Sequence, residues 1–175
     1  GGKTRVHLGT IISPSFTSAI AQCVQLPGLS GKGNNLFLME YAPSHLENRD
    51  QLLENLKFFK AVDLDLVLLR SSGRSFGNRH DIHLWITPED KGNASLMILL
   101  SYIIQGHPDW SEANISVFFI YDGSNDQHAT ELSTQILEGR IPISEQNIEL
   151  VKVNSQKEKI DSINNRSGGA DLVVL

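Results

Sequence analysis

The sequence predicts an α/β fold in which helices cover both faces of a doubly wound, mainly parallel sheet of the Rossmann-like type. Short apolar runs rich in β-branched residues alternate with longer segments of helical periodicity, which is the pattern of βαβ units. The run 64–69 is apolar at almost every position, as is typical of strands covered on both faces. With 175 residues, 40% of them hydrophobic, the chain is long enough for a sizeable core.

Residues 1–70 predict the order β–α–β–α–β, with strands over 5–12, 35–39 and 64–70. Ser13-Pro14-Ser15 has the chemistry of a helix start and Pro27-Gly28 that of a helix end, so we expect a helix between them. Leucines at helical spacing predict a second helix over 49–62. The first helix is expected to turn an apolar face inward, which makes Cys23 a buried, unreactive thiol. The residues of that face are Phe16, Ile20, Cys23 and Val24.

Residues 71–79 are rich in Gly, Ser and Arg and predict a loop between two strands. This loop is either the edge of the sheet or the boundary between two subdomains. Beyond it, the pattern predicts three helices and four strands. The first of these helices is strongly apolar and is expected to be buried on more than one side. The strands cover 81–87, 115–121, 148–153 and 170–175, and the helices cover 94–105, 127–138 and 156–164.

The apolar strands predict which side chains form the core of the sheet. Because parallel sheets are covered by helices on both faces, both sets of alternating strand residues should be shielded from water. The residues predicted to be buried are Leu66, Leu68, Ile82, Leu84, Val117, Phe119 and Val173.

Composition excludes several classes of protein. Lys and Arg number 15 and Asp and Glu 20, a net charge of −5, whereas nucleic-acid-binding proteins need a basic face. The single cysteine cannot form an internal disulfide or a cysteine-based zinc site. No apolar run approaches the roughly 20 residues of a membrane-spanning helix. Because the chain begins with Gly1 and its last apolar run reaches Leu175 without an exit turn, we expect it to be a piece of a longer protein.

The glycine-rich segment from Gly28 to Gly33 invites comparison with phosphate-binding loops. A P-loop lies between a strand and the helix that follows it, with Lys and then Ser or Thr after the last glycine. Here the segment lies between a helix and a strand, and Gly33 follows Lys32. We therefore interpret the segment as a helix C-cap and turn, and no cofactor is predicted.

Four side chains are candidate anion or ligand contacts: Arg70, Arg74, Arg79 and Asp122. Arginine forks bind carboxylates and phosphates, but a loop this rich in Gly and Ser is more typical of a solvated, mobile linker. Asp122 follows a strand, at the edge of the sheet where parallel folds bind ligands. The alternative is a turn that caps the next helix.

No catalytic or metal-binding constellation is evident. His80 and His83 are three positions apart on or beside a strand, so their side chains should point to opposite faces and cannot chelate one ion. No Ser or Cys has a recognisable base partner in the sequence. The residues alone therefore predict a protein that is not an enzyme and has no resident metal.

Several segments, in this order, resemble the cytosolic C-terminal domain of cation–chloride cotransporters. A helix ends in Gly28-Leu29-Ser30-Gly31-Lys32, and Asn34 leads into an apolar strand with Met39 and Pro43 at its end. The strand 81–86, a very apolar helix and a Trp before the next strand follow in the family's order. The family-motif residues, all structural, are Gly28, Leu29, Gly31, Lys32, Asn34, Met39, Pro43, Asp81, Trp85 and Trp110.

The resemblance implies a universal-stress-protein-like fold built as two related α/β halves. Residues 1–70 would be the end of the first half, 71–79 a loop linker, and 80–175 a second half that is incomplete at its C-terminus. The implied function is a non-catalytic, cytoplasmic regulatory and dimerisation domain of a cell-membrane transporter, which carries chloride with sodium and/or potassium. Its implied partners are a second copy of itself and its own transmembrane domain. Glu40-Tyr41 replaces the family's Gly-Trp, which suggests a distant, prokaryotic-type member.

The alternative hypothesis is a free-standing nucleotide-binding protein of the universal-stress type. Those proteins carry a G-x-x-G-x9-G phosphate motif. Gly28 and Gly31 match its first two glycines, but Tyr41 occupies the third position. The helix-to-strand context is also reversed, so any nucleotide binding is expected to be weak.

Overall fold

The computed structural model describes residues 9–26, 33–41, 49–71, 73–122, 131, 134 and 143–175. The chain divides into two compact units, Gly1–Gly73 and Arg74–Leu175. Across the ranges described, no helix has the length and apolar character needed to cross a bilayer.

The first unit pairs two parallel strands and packs two helices on them. Helix α1 (Phe16–Gln25) begins at Ser15, and strand β1 (Leu36–Tyr41) follows it. Helix α2 (Arg49–Ala61) then leads into β2 (Asp65–Arg70), which pairs with β1 along its whole length. The small core that joins the four elements is centred on the buried residues Ile20, Met39 and Phe59.

Three predictions for this unit are wrong. Phe16 is 51% exposed and Cys23 is half-buried, because the core contacts of α1 come from Ile20 and Val24. Leu68 is 39% exposed because, in the part of the chain that the structure describes, β2 has a neighbouring strand on one side only.

The predicted strand over 5–12 is also not observed. Residues 5–8 lie outside the described ranges, and 9–12 form no regular structure. Ile12 is almost fully exposed, because it has no ladder partner to cover it.

The second unit contains a four-stranded parallel sheet. Strand β3 (Asp81–Ile86), helix α3 (Ala94–Gln105) and strand β4 (Asn114–Tyr121) come first. Strand β5 (Ile148–Lys152), helix α4 (Gln156–Ser167) and strand β6 (Leu172–Val174) follow. The strand order is β5-β4-β3-β6, so the chain builds outward from β3 on one side and then crosses to its other side. This is the predicted doubly wound α/β fold.

Successive residues of each strand point to opposite faces, and the two faces pack against different helices. On one face Leu84, Val117 and Phe119 contact the buried side of α3. On the other face Trp85 and Phe118 lie in a second cluster, against which Ile163 of α4 packs. The predictions that Ile82, Leu84, Val117 and Phe119 are buried are confirmed. Val173, on the short strand β6, is only partly buried.

The element boundaries differ slightly from those predicted. The last helix continues to Ser167 instead of ending near residue 164. Of the predicted helix over 127–138, the structure describes residues 131 and 134, and both are helical.

The fold makes the interior of the sheet sensitive to truncation. Leu84 is fully buried on the central strand, so Leu84→Ala should lower the free energy of unfolding by about 2–5 kcal/mol through lost transfer energy and a cavity. Leu150→Ala on β5 is the matched control, since Leu150 is exposed, and it should cost less than about 1 kcal/mol. Urea denaturation of both variants measures the difference, and equal losses would contradict the core assignment.

Candidate functional site

The carboxyl ends of β3, β4 and β5 meet at a shallow crevice of about 210 Å³. This is the edge at which open parallel sheets bind ligands. Thr87 follows β3, Asp122 follows β4 and Ser155 follows β5, and all three line the crevice together with Glu89 and Lys159. Asp122, a candidate from the sequence, therefore does lie at the crevice, where it makes interactions of its own.

The turn after β3 is closed by its own side chains. The Asp90 carboxylate accepts hydrogen bonds from the Thr87 backbone N–H at 3.0 Å and from the Thr87 hydroxyl at 2.6 Å. In Rossmann-like folds this first β–α turn is the glycine-rich phosphate site. Here Glu89 and Asp90 place two acidic side chains in it. The turn therefore opposes the approach of a phosphate.

The turn after β5 is closed in the same way. The Ser155 hydroxyl accepts from the backbone N–H of Glu158 at 3.2 Å and caps α4. The Glu158 carboxylate accepts from the backbone N–H of Asn154 at 2.7 Å and from its side-chain amide at 3.1 Å. The backbone amides of Asn154 and Glu158 at this helix end are thus already engaged by side chains of the same turn. Lys159 is left as the cationic side chain of the crevice.

At the opposite end of the strands, where β3 and β6 begin, one carboxylate accepts hydrogen bonds from three backbone amides. Asp171, just before β6, accepts hydrogen bonds from the N–H groups of Asn78 at 3.1 Å, His80 at 2.7 Å and Asp81 at 3.2 Å. The bond from His80, reinforced by those from Asp81 and Asn78 and by the Arg74 charge, lowers the pKa of this carboxyl below its usual value. We call this arrangement the Asp171 cluster.

The arginine-rich loop is ordered by the same contacts. Arg74 donates to the carbonyls of Gly168 at 3.2 Å and Gly169 at 3.4 Å and lies 3.9 Å from Asp171. Arg79 is paired with Asp109 at 2.5 Å. Residues 73–79 are exposed to water, as expected of a solvated loop, but Arg74 and Arg79 make specific contacts there.

These contacts also bear on the candidate anion ligands. The guanidinium groups of Arg74 and Arg79 are already occupied by acceptors of the second unit. Arg70 is the last residue of β2 in the first unit. Arg74 and Arg79 are therefore engaged within the second unit and do not present free guanidinium groups to an anion.

A serine–histidine pair lies between the sheet and α4. The Ser167 hydroxyl oxygen is 2.9 Å from Nδ1 of His83 and accepts a hydrogen bond from the Trp85 indole N–H at 2.8 Å. Because an indole can only donate, the serine proton is free to bond to the unprotonated His83 nitrogen. Burial lowers the pKa of His83, and the Asp81 carboxylate partly opposes that change. Neutral His83 fits this arrangement.

This pair is not evident from the sequence because 84 residues separate its members. The expectation that no serine has a base partner is therefore corrected. The signal that could have found the pair is the parallel pairing of β3 with β6, which brings the end of α4 over His83. Ser167 is only 8% exposed, so the pair joins α4 to the sheet at a buried position.

In the first unit, Asn55 of α2 is fully buried, and among the described residues neither polar atom of its side chain has a hydrogen-bond partner. An unsatisfied buried amide is costly and uncommon in folded proteins. It lies one helical turn before Phe59, the aromatic residue at the centre of that core. The hydrogen bonding of buried polar groups is thus less complete in the interior of the first unit than in the sheet of the second.

The outer face of α3 is apolar and exposed. Leu96, Leu99 and Ile103 recur at spacings of three and four residues and therefore share one side of the helix. Their side chains are 36%, 54% and 61% exposed. The helix has no charged residue between Ala94 and Gln105. The expectation that this helix is buried on more than one side is therefore wrong, because its outer side is open to water.

The family-motif residues that are described have structural positions. Asn34 donates to the Leu26 carbonyl at 2.9 Å, and Met39 lies in the core of the first unit. Asp81 begins β3, and Trp85 stacks on Phe118 with ring centroids 4.4 Å apart. Trp110 is buried against the face covered by α3. Gly28, Leu29, Gly31, Lys32 and Pro43 lie outside the described residues.

Comparison with known proteins returned no match, either to a family model or to a curated sequence. Within the ranges described, no three His, Cys, Asp or Glu side chains are grouped so that they could hold a metal ion.

The Asp171 cluster depends on Gly77. This glycine has a φ of +49°, and a Cβ there would lie 2.0 Å from the Asp171 carboxylate. Gly77→Ala should therefore lower the free energy of unfolding by about 1–3 kcal/mol, because it combines backbone strain with a displaced carboxylate. Gly73→Ala, where a Cβ meets nothing within 4 Å, is the control and should be nearly neutral. Thermal unfolding monitored by circular dichroism compares the two, and a neutral Gly77→Ala would contradict the cluster's role.

The depressed pKa of His83 predicts a pH dependence of stability. The unfolded chain takes up this proton as the pH falls below about 6.5, while the folded chain resists it. The stabilising contribution is therefore complete above about pH 6.5 and is lost as the pH falls toward the folded-state pKa. His83→Gln should flatten the slope of unfolding free energy against pH below about pH 6.5. Ser167→Ala keeps the titrating ring and should keep the slope; the same slope in His83→Gln would refute the assignment.

Proposed function

We propose that the chain is a non-catalytic cytosolic regulatory and dimerisation domain of a membrane transporter that carries chloride with sodium and/or potassium. The observation that carries this proposal is the exposed apolar face of α3, formed by Leu96, Leu99 and Ile103. Contiguous apolar side chains on a water-facing helix mark a surface that contacts a partner. Such a surface suits a domain that acts by association.

The state of the polar side chains supports a binding role over a catalytic one. The Asp171 carboxylate is taken up by three backbone amides, and the Ser167 hydroxyl is taken up by His83 and Trp85. Catalysis needs a nucleophile or base that can reach a substrate atom. These groups join structural elements, and Ser167 is buried between them.

The resemblance to cation–chloride cotransporters supplies the class of protein to which we assign the domain. Met39, Trp85 and Trp110 are buried, which agrees with a structural role for these family-motif residues. Under this proposal the domain lies on the cytoplasmic side of the membrane. Its partners are a second copy and the transporter's own transmembrane domain.

The second candidate is the free-standing nucleotide-binding protein of the universal-stress type. The crevice at the carboxyl ends of β3, β4 and β5 favours it, since doubly wound sheets bind nucleotides at that edge. The acidic turn of Glu89 and Asp90 opposes it, and the Ser155 hydroxyl already caps the Glu158 amide at the start of α4. Calorimetric titration with ATP should therefore show no binding at low micromolar concentration, and a low micromolar Kd would favour this candidate.

Sedimentation equilibrium of the chain tests the association. The apparent mass should rise with concentration from the 19.4 kDa of one chain toward twice that value. A constant mass up to high micromolar concentration would remove dimerisation from the proposed function.

The transporter assignment has its own test: the coding sequence upstream of Gly1 should encode about a dozen apolar spans of roughly 20 residues. Their absence would overturn that assignment.

A further inference from the structure

We infer that the outer face of α3 is the dimerisation surface and that a second copy of the chain packs its own α3 against it, antiparallel, about a two-fold axis. This inference rests on the proposed function, because it names the partner and the place of the proposed self-association. The surface consists of Leu96, Leu99 and Ile103, with half-buried Leu100 beside them. We call it the α3 stripe.

The distribution of charge favours a second copy as the occupant. The whole chain carries a net charge of −5, so two copies repel one another wherever acidic surfaces meet. Helix α3 has no charged residue from Ala94 to Gln105. Two copies that meet through this helix bring no like charges into the contact. A basic or acidic partner would find no complementary charge on it.

The spacing of the stripe also fits two-fold pairing. Leu96 and Ile103 lie equally far from the middle of the helix, which falls between Leu99 and Leu100. In an antiparallel pair centred there, Leu96 faces Ile103 of the partner subunit. Leu99 then lies at the axis, close to its own counterpart. An isologous contact requires this kind of self-complementary patch.

The size of the stripe sets the expected strength of the contact. Twelve residues of helix span about 18 Å, so one helix pair gives an interface below about 1,200 Å² in total. Interfaces of that size are typical of weak, reversible association. The dimer should therefore form at high micromolar concentration and dissociate on dilution.

Substitution at the axis tests the surface. Leu99 is more than half exposed, so the fold tolerates Leu99→Glu, whereas a dimer would bring two carboxylates together at its axis. Sedimentation equilibrium should show the dimer weakened at least about tenfold. Leu150→Glu is the matched control: it adds the same charge at an exposed leucine on β5 and should leave dimerisation unchanged. Circular dichroism of both variants checks that each is folded.

Cross-linking tests the antiparallel orientation. With Cys23→Ser as background, a chain with Leu96→Cys is mixed with a chain with Ile103→Cys and oxidised mildly. The mixture should give a disulfide-linked dimer, and each chain alone should give much less. Efficient linkage by Leu96→Cys alone would indicate a parallel pair and overturn the proposed geometry.

The outcomes separate this inference from the proposed function. If the wild-type chain dimerises and Leu99→Glu dimerises equally well, the surface is wrong and the proposed self-association stands. If the wild-type chain stays monomeric at high micromolar concentration, the proposed dimerisation and this inference both fail. A mass that grows beyond two chains would show open-ended contacts and would contradict the two-fold pair.

Discussion

The Asp171 carboxylate is the interaction on which the second unit depends most. It accepts hydrogen bonds from the backbone of Asn78, His80 and Asp81, while the backbone N–H of Asp171 donates to the Asp81 carbonyl at 3.0 Å. These bonds join the start of β3 to the start of β6. Because β6 pairs through only three residues, they fix the register of a short strand that has little ladder of its own. The same carboxylate orders the loop that precedes β3.

The register of β6 in turn positions the end of α4. Arg74 binds the carbonyls of Gly168 and Gly169, directly after the helix. Ser167, the last helical residue, then lies over β3 and bonds to His83 and Trp85. Loop, strand and helix end are therefore one connected hydrogen-bond system. A change at Gly77 or Asp171 is expected to disturb all three elements together.

The sequence predicted the central strands of the second unit well and the contacts between distant segments poorly. Strand β4 is apolar at consecutive positions from Val117 to Tyr121, and β3 alternates around Ile82, Leu84 and Ile86. These local patterns indicate a covered strand without any knowledge of its partner. Asp171 and the loop residues it binds are more than 90 residues apart, so no local pattern could show that they meet. The predicted burial of Leu68 was wrong for a related reason, because its burial depends on neighbours that a strand pattern does not reveal.

The same difference between local patterns and distant contacts explains which site residues could be predicted from the sequence. Asp122 was found because the carboxyl end of a parallel strand is a local feature with a general rule attached. The pairing of His83 with Ser167 was missed because it depends on strand order, which follows from the whole topology. Arg74 and Arg79 suggested a free anion site until the structure showed which acceptors occupy them. Local chemistry identified the groups, and only the fold showed whether they are available.

The strand order β5-β4-β3-β6 has a consequence for the newly made chain. Strand β3 is synthesised first but lies inside the sheet, and its neighbour β6 is made last. Before the segment around residue 172 has left the ribosome, β3, β4 and β5 can already pair with one another. The other side of β3, where β6 will bind, then has no partner strand. Unpaired edges of this kind attract other strands and promote aggregation. The nascent domain therefore passes through a stage in which it needs either rapid completion or a chaperone that covers the open side of β3.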